Sequence, residues 1–162
     1  MEKLNALEQV AAFHKTFGHP VLDDPQIPAK ERAALRVSLL QEELNELKEA
    51  IANDDLVEAA DALCDIQYVL AGAVLEFGMG DVFKRLFDEV QRSNMSKTCS
   101  SEEEAKATQQ HYMDKDGTES YIVEKDGLWL VYRSSDNKTL KSVKYSPADL
   151  SSILKDTGAL AK

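Results

Sequence analysis

The segment LVEAADALCDIQYVLAGAVLEF, residues 56–77, decides the fold. Its Ala, Leu, Ile and Val residues make it apolar on nearly all sides, which is typical of a helix buried among other helices. Three acids interrupt its first half, at Glu58, Asp61 and Asp65. At about 100° per residue they fall within an arc of roughly 60° on one face, and Glu76 continues the same line. The segment therefore predicts a buried helix with one acidic face.

Apolar spacing predicts three more helices around this one. The first covers residues 2–17 and ends at Gly18, and the second covers residues 29–53. A turn at residues 53–55 leads into the acidic helix. The fourth begins after a cap at Asp81, and its inward-facing side chains are predicted to be Val82, Phe83, Leu86, Phe87 and Val90.

The sequence changes character after Lys97. Ser101 and Glu104 have the spacing of a capping box, which predicts a polar helix to about Tyr112. The other predicted elements are a hairpin of strands 121–123 and 128–132, a third strand at 140–145 as one alternative, and a final helical turn from Ser146-Pro147 through Leu154. We therefore predict an all-α fold, with a four-helix-bundle core over residues 1–97 and a C-terminal extension over residues 98–162.

Composition excludes several functional classes. The 162 residues carry 19 Lys and Arg against 29 Asp and Glu, a net charge of −10, whereas nucleic-acid and anionic-membrane binders need a basic surface. The start MEKLNALEQV lacks the apolar core of a secretory signal, and no stretch reaches the ~18 apolar residues that span a bilayer. Cys64 and Cys99 are too few for a disulfide framework. We expect a cytoplasmic protein with free thiols and neither nucleic acid nor membrane as partner.

Buried carboxylates one helical turn apart must be protonated, paired with cations or bound to metal, because desolvation and repulsion otherwise cost several kcal/mol. The second helix offers no base at the matching face but more acid, at Glu42, Glu43 and Glu46. If the two helices form an antiparallel hairpin, the two acidic sets converge. Oxygen ligands without His or Cys suit Mg²⁺ or Mn²⁺.

Simpler interpretations exist for part of this set. Glu42, Glu43 and Glu46 alone are typical of a solvated helix face, and Glu58 near a helix start is favoured by the helix dipole. Asp61 and Asp65 are harder to explain in that way, because Asp is a poor residue for a helix interior. We therefore favour the metal site.

Four segments together carry a resemblance to a known family. They are EELNE at 42–46, EAADALCDIQYVL at 58–70, FG at 77–78 and DEVQRSNMSK at 88–97. They resemble the MazG-like all-α nucleoside triphosphate pyrophosphohydrolases, a group that includes phosphoribosyl-ATP pyrophosphohydrolase and the dimeric dUTPases. The likeness covers roughly residues 5–97.

The resemblance implies Mg²⁺-dependent hydrolysis of a nucleoside triphosphate between its α and β phosphates, to the monophosphate and pyrophosphate. The motif Glu-Glu-x-x-Glu falls on Glu42, Glu43 and Glu46. The motif Glu-x-x-Asp falls on Glu58 and Asp61, or in a second register on Ala62 and Asp65. The sequence distance from the motif to the following Gly78 favours the second register. That register lacks a motif Glu at Ala62, so Asp61 or Glu58 would fill the vacancy. The implied metal ligands are Glu43, Glu46, Glu58, Asp61 and Asp65, with Glu43 and Glu42 as catalytic residues and Glu42 as the candidate base.

Polar and basic side chains at the end of the fourth helix complete the predicted site. Arg92, Asn94 and Lys97 resemble a phosphate grip, although cations near a helix C-terminus also favour its dipole. His14 beside Phe13 and Phe17 is more typical of a packed core residue than of a base pocket, and core packing is also favoured for Tyr68.

Partners and alternatives follow from the same patterns. Helices with apolar stripes on more than one face rarely satisfy themselves in a monomer, so we expect a homodimer or a dimer of dimers. Two other functions stay open: hydrolysis of phosphoribosyl-ATP, and a catalytically inactive helical interaction module that has lost a ligand at Ala62.

Overall fold

The structure is a computed structural model that describes residues 4–160. In that range the chain is mostly helical with one small hairpin near its C-terminus, which confirms the predicted fold class. The elements are α1 (Ala6–Phe17), α2 (Lys30–Ala52), α3 (Leu56–Glu76), α4 (Phe83–Met95), α5 (Glu102–Asp116), β1 (Ser120–Lys125), β2 (Leu128–Arg133) and α6 (Leu150–Asp156). None of the helices between residues 4 and 160 is both long enough and apolar enough to cross a bilayer.

Contacts divide the chain into two compact units. The first contains α1, α2 and α3 together with the residues from Ser151 onwards, and the second comprises Arg85–Leu150. The helix α4 begins in the first unit and continues in the second. The functional boundary at residue 97 stays a prediction.

The turn between α2 and α3 sets up the first unit. Asp54 takes a positive φ of 54°, and the Asp55 carboxylate accepts hydrogen bonds from the backbone N–H groups of Val57 and Glu58 at 3.0 and 3.1 Å. This N-cap satisfies two of the free N–H groups of α3, so the chain reverses and α3 packs against α2. The helix α1 also packs against α3, and Val10, Ala71 and Leu75 form a core cluster between them.

The loop after α1 is fastened to the C-terminal end of α3. The N–H groups of Leu22 and Gln26 donate to the carbonyls of Leu75 and Phe77, both at 3.0 Å. Gly78 ends this helix with φ +67°, and a Cβ there would lie 2.0 Å from the carbonyl oxygen of Asp24. No residue with a side chain fits between the two segments, so glycine fixes where the loop crosses.

Burial of α3 on all sides was a wrong prediction. Its face toward α1 and α2 is buried, but Leu56, Leu63 and Leu70 are exposed in the single chain. They recur every seven residues, as do the exposed Val37 and Ile51 on α2 with Leu44 between them. The two helices therefore have a second apolar surface that the chain itself does not cover.

The second unit is built from α5 packed on the hairpin. Ser101 caps α5 by accepting from the N–H of Glu104 at 3.2 Å, as predicted. The hairpin register runs from Ser120↔Arg133 to Lys125↔Leu128. Asp126 and Gly127 both have positive φ, which is the two-residue turn that a twisted hairpin prefers. The core of this unit consists of Cys99, Ala105, Val131 and Leu140.

Three predictions for this part of the chain were wrong. Residues 140–145 do not form a strand, and the nearest pairing in the described chain is one bridge between Tyr132 and Thr139. The reason is that the backbone N–H groups of Lys141 and Val143 donate to side-chain oxygens of α5, those of Tyr112 and Thr108, at 3.2 and 3.1 Å, and so do not enter a strand ladder.

The other two errors concern helix starts and facing. The last helix begins at Leu150, not at Ser146, because the Ser146 hydroxyl accepts from an Arg92 terminal nitrogen at 3.0 Å and does not cap a helix. The helix α4 begins at Phe83, two residues after its predicted cap Asp81. Of its predicted inward residues, Val82 and Leu86 are buried, Phe83 is half-buried, and Phe87 and Val90 are exposed.

Candidate functional site

Acids from α2 and α3 meet on the facing sides of the two helices. The pKa of Glu43 is raised above its usual value, chiefly by burial and then by the negative charges of Glu46, Asp65, Glu42 and Asp61. We call these five residues the acidic site. Glu43 lies at its centre, and its Oε2 atom is buried without a hydrogen-bond partner. Asp61 and Asp65 of α3 thus lie close enough to Glu43 of α2 to interact with it electrostatically, and the use of these acids as a metal site stays a prediction.

Glu58 lies next to the acidic site, but the charges that raise the pKa of Glu43 most are those of the other four acids of the site. It lines a cavity of about 400 Å³ with Glu46, Glu49 and Asp55. Glu46 thus belongs to both groups, and the negative potential continues from the acidic site toward the turn between the helices.

The two registers of the Glu-x-x-Asp motif differ in the residue at the Glu position, which is Glu58 in the first register and Ala62 in the second. Ala62, the vacant Glu position of the second register, is buried with 2% of its surface exposed. Asp61 and Asp65 on either side of it both act on Glu43. Asp61 thus interacts electrostatically with Glu43, and the choice between Asp61 and Glu58 as substitute for the missing side chain stays a prediction.

Glu76 continues the acidic line of α3 but is neutralised, which corrects the expectation that α2 has no basic partner for it. Its carboxylate is fully buried and accepts from Arg32 Nε at 3.1 Å and from the terminal nitrogens of Arg32 and Arg36. Burial opposes ionisation, but these hydrogen bonds outweigh it and hold the pKa of Glu76 below its usual value. The three residues form the arginine–glutamate triad.

Gly72 makes room for this triad. A Cβ at Gly72 would lie 2.9 Å from an Arg36 terminal nitrogen and 3.0 Å from His14 Nε2. His14 holds its ring by a 2.8 Å hydrogen bond between Nδ1 and the Pro20 carbonyl, and burial lowers its pKa. A neutral imidazole beside Arg36 avoids repulsion between two buried cations.

The acidic site has no such compensation. Within residues 4–160, none of its five carboxylates forms an ion pair with Lys or Arg, because the basic residues of α2 that face α3 are committed to Glu76. The donor set consists of carboxylate oxygens, which hard divalent cations prefer. In the same range no group of three or more His, Cys, Asp or Glu side chains is arranged so that it could hold a metal ion. The fit to a cation thus rests on the donor chemistry and on the unpartnered Oε2 of Glu43.

A family model for phosphoribosyl-ATP pyrophosphohydrolase matches residues 10–94. The match contains α2 and α3 in full and therefore every residue of the acidic site. The chain belongs to this family. The predicted relationship to the MazG-like pyrophosphohydrolases is confirmed, and membership supports a pyrophosphohydrolase-type activity on a nucleotide.

The phosphoribosyl-ATP pyrophosphohydrolase match leaves the C-terminal segment uncovered, but a curated relative extends over it. The chain is similar to an uncharacterised protein of Acanthamoeba polyphaga mimivirus, with 25% identity over an alignment of 247 residues. The alignment covers 94% of this chain and 97% of the viral protein. The alignment therefore extends beyond residues 10–94 into the second unit of this chain.

The predicted phosphate grip lies in the second unit, outside the helix pair that carries the family's acids. Arg92 is held by the Glu89 carboxylate at 2.7 and 2.8 Å and also donates to the Ser146 hydroxyl and the Pro147 carbonyl, each at 3.0 Å. Lys97 donates to the side chain of Asn94 at 2.8 Å. Arg92 thus fastens the segment around Ser146 to α4. A role of Arg92, Asn94 and Lys97 in binding substrate stays a prediction.

Two groups of residues were missed or misjudged from the sequence. The arginine–glutamate triad was missed, although Arg32 and Arg36 are spaced by one helical turn, a signal that they share a face. The prediction of core packing is confirmed for His14, which is buried. Phe17 is exposed, and Phe13 and Tyr68 each keep more than a third of their surface exposed.

Proposed function

We propose that the protein hydrolyses a nucleoside or deoxynucleoside triphosphate between the α and β phosphates, releasing the monophosphate and pyrophosphate. We propose Mg²⁺ as the cofactor, with Mn²⁺ as an alternative. The observation that carries the proposal is the buried, unpartnered Oε2 of Glu43 among four other carboxylates. A divalent cation compensates this charge, and a bound cation is also what allows a triphosphate to approach an acidic surface.

Each acid has a distinct part in this proposal. Glu43, Glu46, Asp61 and Asp65 would hold the metal, with Glu58 reaching it from the adjoining cavity. Bound Mg²⁺ supplies charge stabilisation on the phosphate oxygens. Glu42 is exposed beside Glu43 and accepts the proton of the attacking water. The water oxygen bonds to phosphorus as the α–β bridging P–O bond breaks, and pyrophosphate leaves with that electron pair.

The test is a panel of nucleoside and deoxynucleoside triphosphates, together with phosphoribosyl-ATP, assayed with Mg²⁺ for pyrophosphate and orthophosphate separately. Wild type should release pyrophosphate from at least one substrate and none after chelation of the metal. Glu43→Gln should lower kcat/KM by about 100-fold or more, beyond the 10–100-fold typical of residues that only support metal ligands. Glu31→Gln, an exposed acid on the same helix, is the matched control and should retain activity.

Each other outcome has a definite meaning. Orthophosphate release without pyrophosphate would place cleavage at the β–γ bond and reject the proposed reaction. Turnover of phosphoribosyl-ATP alone would support the second candidate, which the family description favours. No turnover on the whole panel would support the inactive interaction module with its missing ligand at Ala62.

We further propose that the active form is a homodimer in the cytoplasm and serves to remove unwanted nucleotides. The support is the second apolar surface of α2 and α3, on which Val37, Ile51, Leu56 and Leu63 are each more than half exposed. A soluble monomer rarely leaves so much apolar surface in one patch.

A further inference from the structure

We propose that Phe13, His19 and Tyr68 bind the nucleobase of the substrate, a proposal that rests on the proposed function. We call these three residues the aromatic platform. The rings come from α1, from the loop that follows it and from α3.

Phe13 is the centre of the platform. Its ring lies nearly parallel to that of His19, with centroids 5.9 Å apart and planes at 24°. Tyr68 meets it edge-on at 5.6 Å and 81°, and Phe17 packs at 4.4 Å on the same ring. These separations are in the range of attractive aromatic pairs. The three platform rings are therefore held in place by one another before any ligand arrives.

The backbone explains why His19 returns to α1. Gly18 takes φ +70°, the left-handed conformation of a helix C-cap, and the N–H of His19 donates to the carbonyl of His14 at 2.8 Å. This reversal folds the His19 ring over the last turn of α1, where it contacts both Phe13 and His14. The buried His14 is anchored to Pro20, so the loop that carries His19 is fixed at both ends.

The platform is not a closed core. Val10 and His14 on the same helix are almost fully buried, whereas Phe13 is 37% and Tyr68 39% exposed. The most buried side chains of α1 are thus Val10 and His14, and not Phe13. Aromatic surface that is fixed in orientation yet open to solvent suits stacking with a planar heterocycle, which is worth about 1–3 kcal/mol per base. The His19 imidazole and the Tyr68 hydroxyl are polar groups that can reach the edge of a base.

The position on α3 connects the platform to the acidic site. Tyr68 follows Asp65 by three residues and Asp61 by seven, so it lies about 4.5 Å and 10.5 Å further along the axis. Seven residues return to nearly the same face of a helix, within about 20°. The carboxylates and the platform therefore follow one another along one side of α3, in the order in which a nucleotide presents phosphate and base.

The test compares substrates with and without a base. Phe13→Leu keeps an apolar side chain but removes the ring, and Tyr68→Leu does the same on α3. For a nucleoside triphosphate that wild type cleaves, each should raise KM about tenfold, which is 1.4 kcal/mol and within the range for one stacked base. Inhibition by inorganic tripolyphosphate, which has no base, should be unchanged. Phe87→Leu, at an exposed phenylalanine of α4, is the control and should leave both constants unchanged.

The outcomes separate this inference from the proposed function. Pyrophosphate release by wild type decides the reaction, and the variants decide the platform. An unchanged KM in both variants would reject the platform and leave the reaction intact. A parallel weakening of tripolyphosphate inhibition would also reject it, because the rings would then act by supporting the acids. If wild type turns nothing over, calorimetric binding of an α,β-methylene nucleotide with Mg²⁺ gives the same comparison, and equal affinity in wild type and Phe13→Leu would overturn the inference.

Discussion

Replacing Glu76 with leucine should destabilise the first unit by about 3 kcal/mol. Glu76 is fully buried and binds both Arg32 and Arg36, so its removal leaves two guanidinium groups without their shared anion. Breaking a buried ion pair by removing one partner costs about 3–5 kcal/mol. The expected loss is a large part of the stability of a domain of this size.

The exposure of the two arginines places the effect at the lower end of that range. The Arg32 side chain is 31% exposed and can turn toward water, whereas that of Arg36 is only 9% exposed. Arg36 also has a buried Nε without a partner in the native state. One uncompensated buried cation, that of Arg36, therefore carries most of the expected loss.

The measurement is urea unfolding at pH 7 followed by far-UV circular dichroism, which reports on the helices of the first unit. The double variant Glu76→Leu with Arg36→Met removes the uncompensated cation together with its anion and should recover most of the lost free energy of unfolding. Glu31→Gln serves as the control and should lie within about 0.5 kcal/mol of wild type, as surface substitutions usually do. A single variant as stable as wild type, or a double variant no more stable than the single, would refute this reasoning.

The same carboxylate gives a pH signature. The pKa of Glu76 in the folded state is lower than its usual 4.5, because the hydrogen bonds from the two arginines outweigh burial. A lowered pKa contributes stability that is fully present above the unfolded value and is lost as the pH falls through the folded value. Wild type should therefore lose stability below about pH 5 more steeply than Glu76→Leu does.

Two further predictions concern the second unit and the assembly. Glu104→Gln should destabilise the second unit by about 2 kcal/mol, because burial is outweighed by hydrogen bonds from Ser142 and Ser100 that lower the pKa of Glu104 to about 2. That contribution to stability is lost as the pH falls from 4.5 toward 2, so the free energy of unfolding should depend less on pH in the variant than in wild type. Unfolding is followed by the fluorescence of Trp129, the one tryptophan in the sequence. Leu63→Glu should convert the proposed dimer to a monomer in light scattering after gel filtration, and an unchanged mass would exclude this surface from the interface.

Much of the first unit could be predicted because its signals are local. The N-cap at Asp55, the break at Gly18 and the apolar repeats of α2 and α3 lie within a few residues of the features they determine. The meeting of Glu43 with Asp61 and Asp65 followed from two helical periodicities and one short turn. Each of these inferences needs only backbone geometry that the neighbouring residues impose.

The triad could not be predicted in the same way. Arg36 and Glu76 are separated by 40 residues, and their pairing depends on where α2 and α3 face each other near the far end of the hairpin. The sequence alone does not give the crossing angle between α2 and α3. It therefore does not distinguish an acid that is paired with arginine from one that is free to bind a metal. The distinction between Glu76 and Asp65 required the packed helices.

The C-terminal errors have a different cause. Residues 140–145 have strand propensity, but the backbone N–H groups of Lys141 and Val143 donate to side chains of α5 and not to a third ladder. Such competition between local preference and tertiary contacts is not visible in a propensity pattern. The segment after the hairpin therefore follows the helices and not its own composition.

The triad also constrains how this chain can change over generations. Losing Glu76 first leaves the buried Arg36 without its anion, and losing Arg36 first leaves Glu76 with Arg32 as its one remaining partner in the triad, so either single step passes through a weakened protein. Apolar residues can replace the triad only if a second substitution follows before selection removes the variant that has the first. These positions should therefore be inherited as a group, and descendants should show either the whole set or none of it.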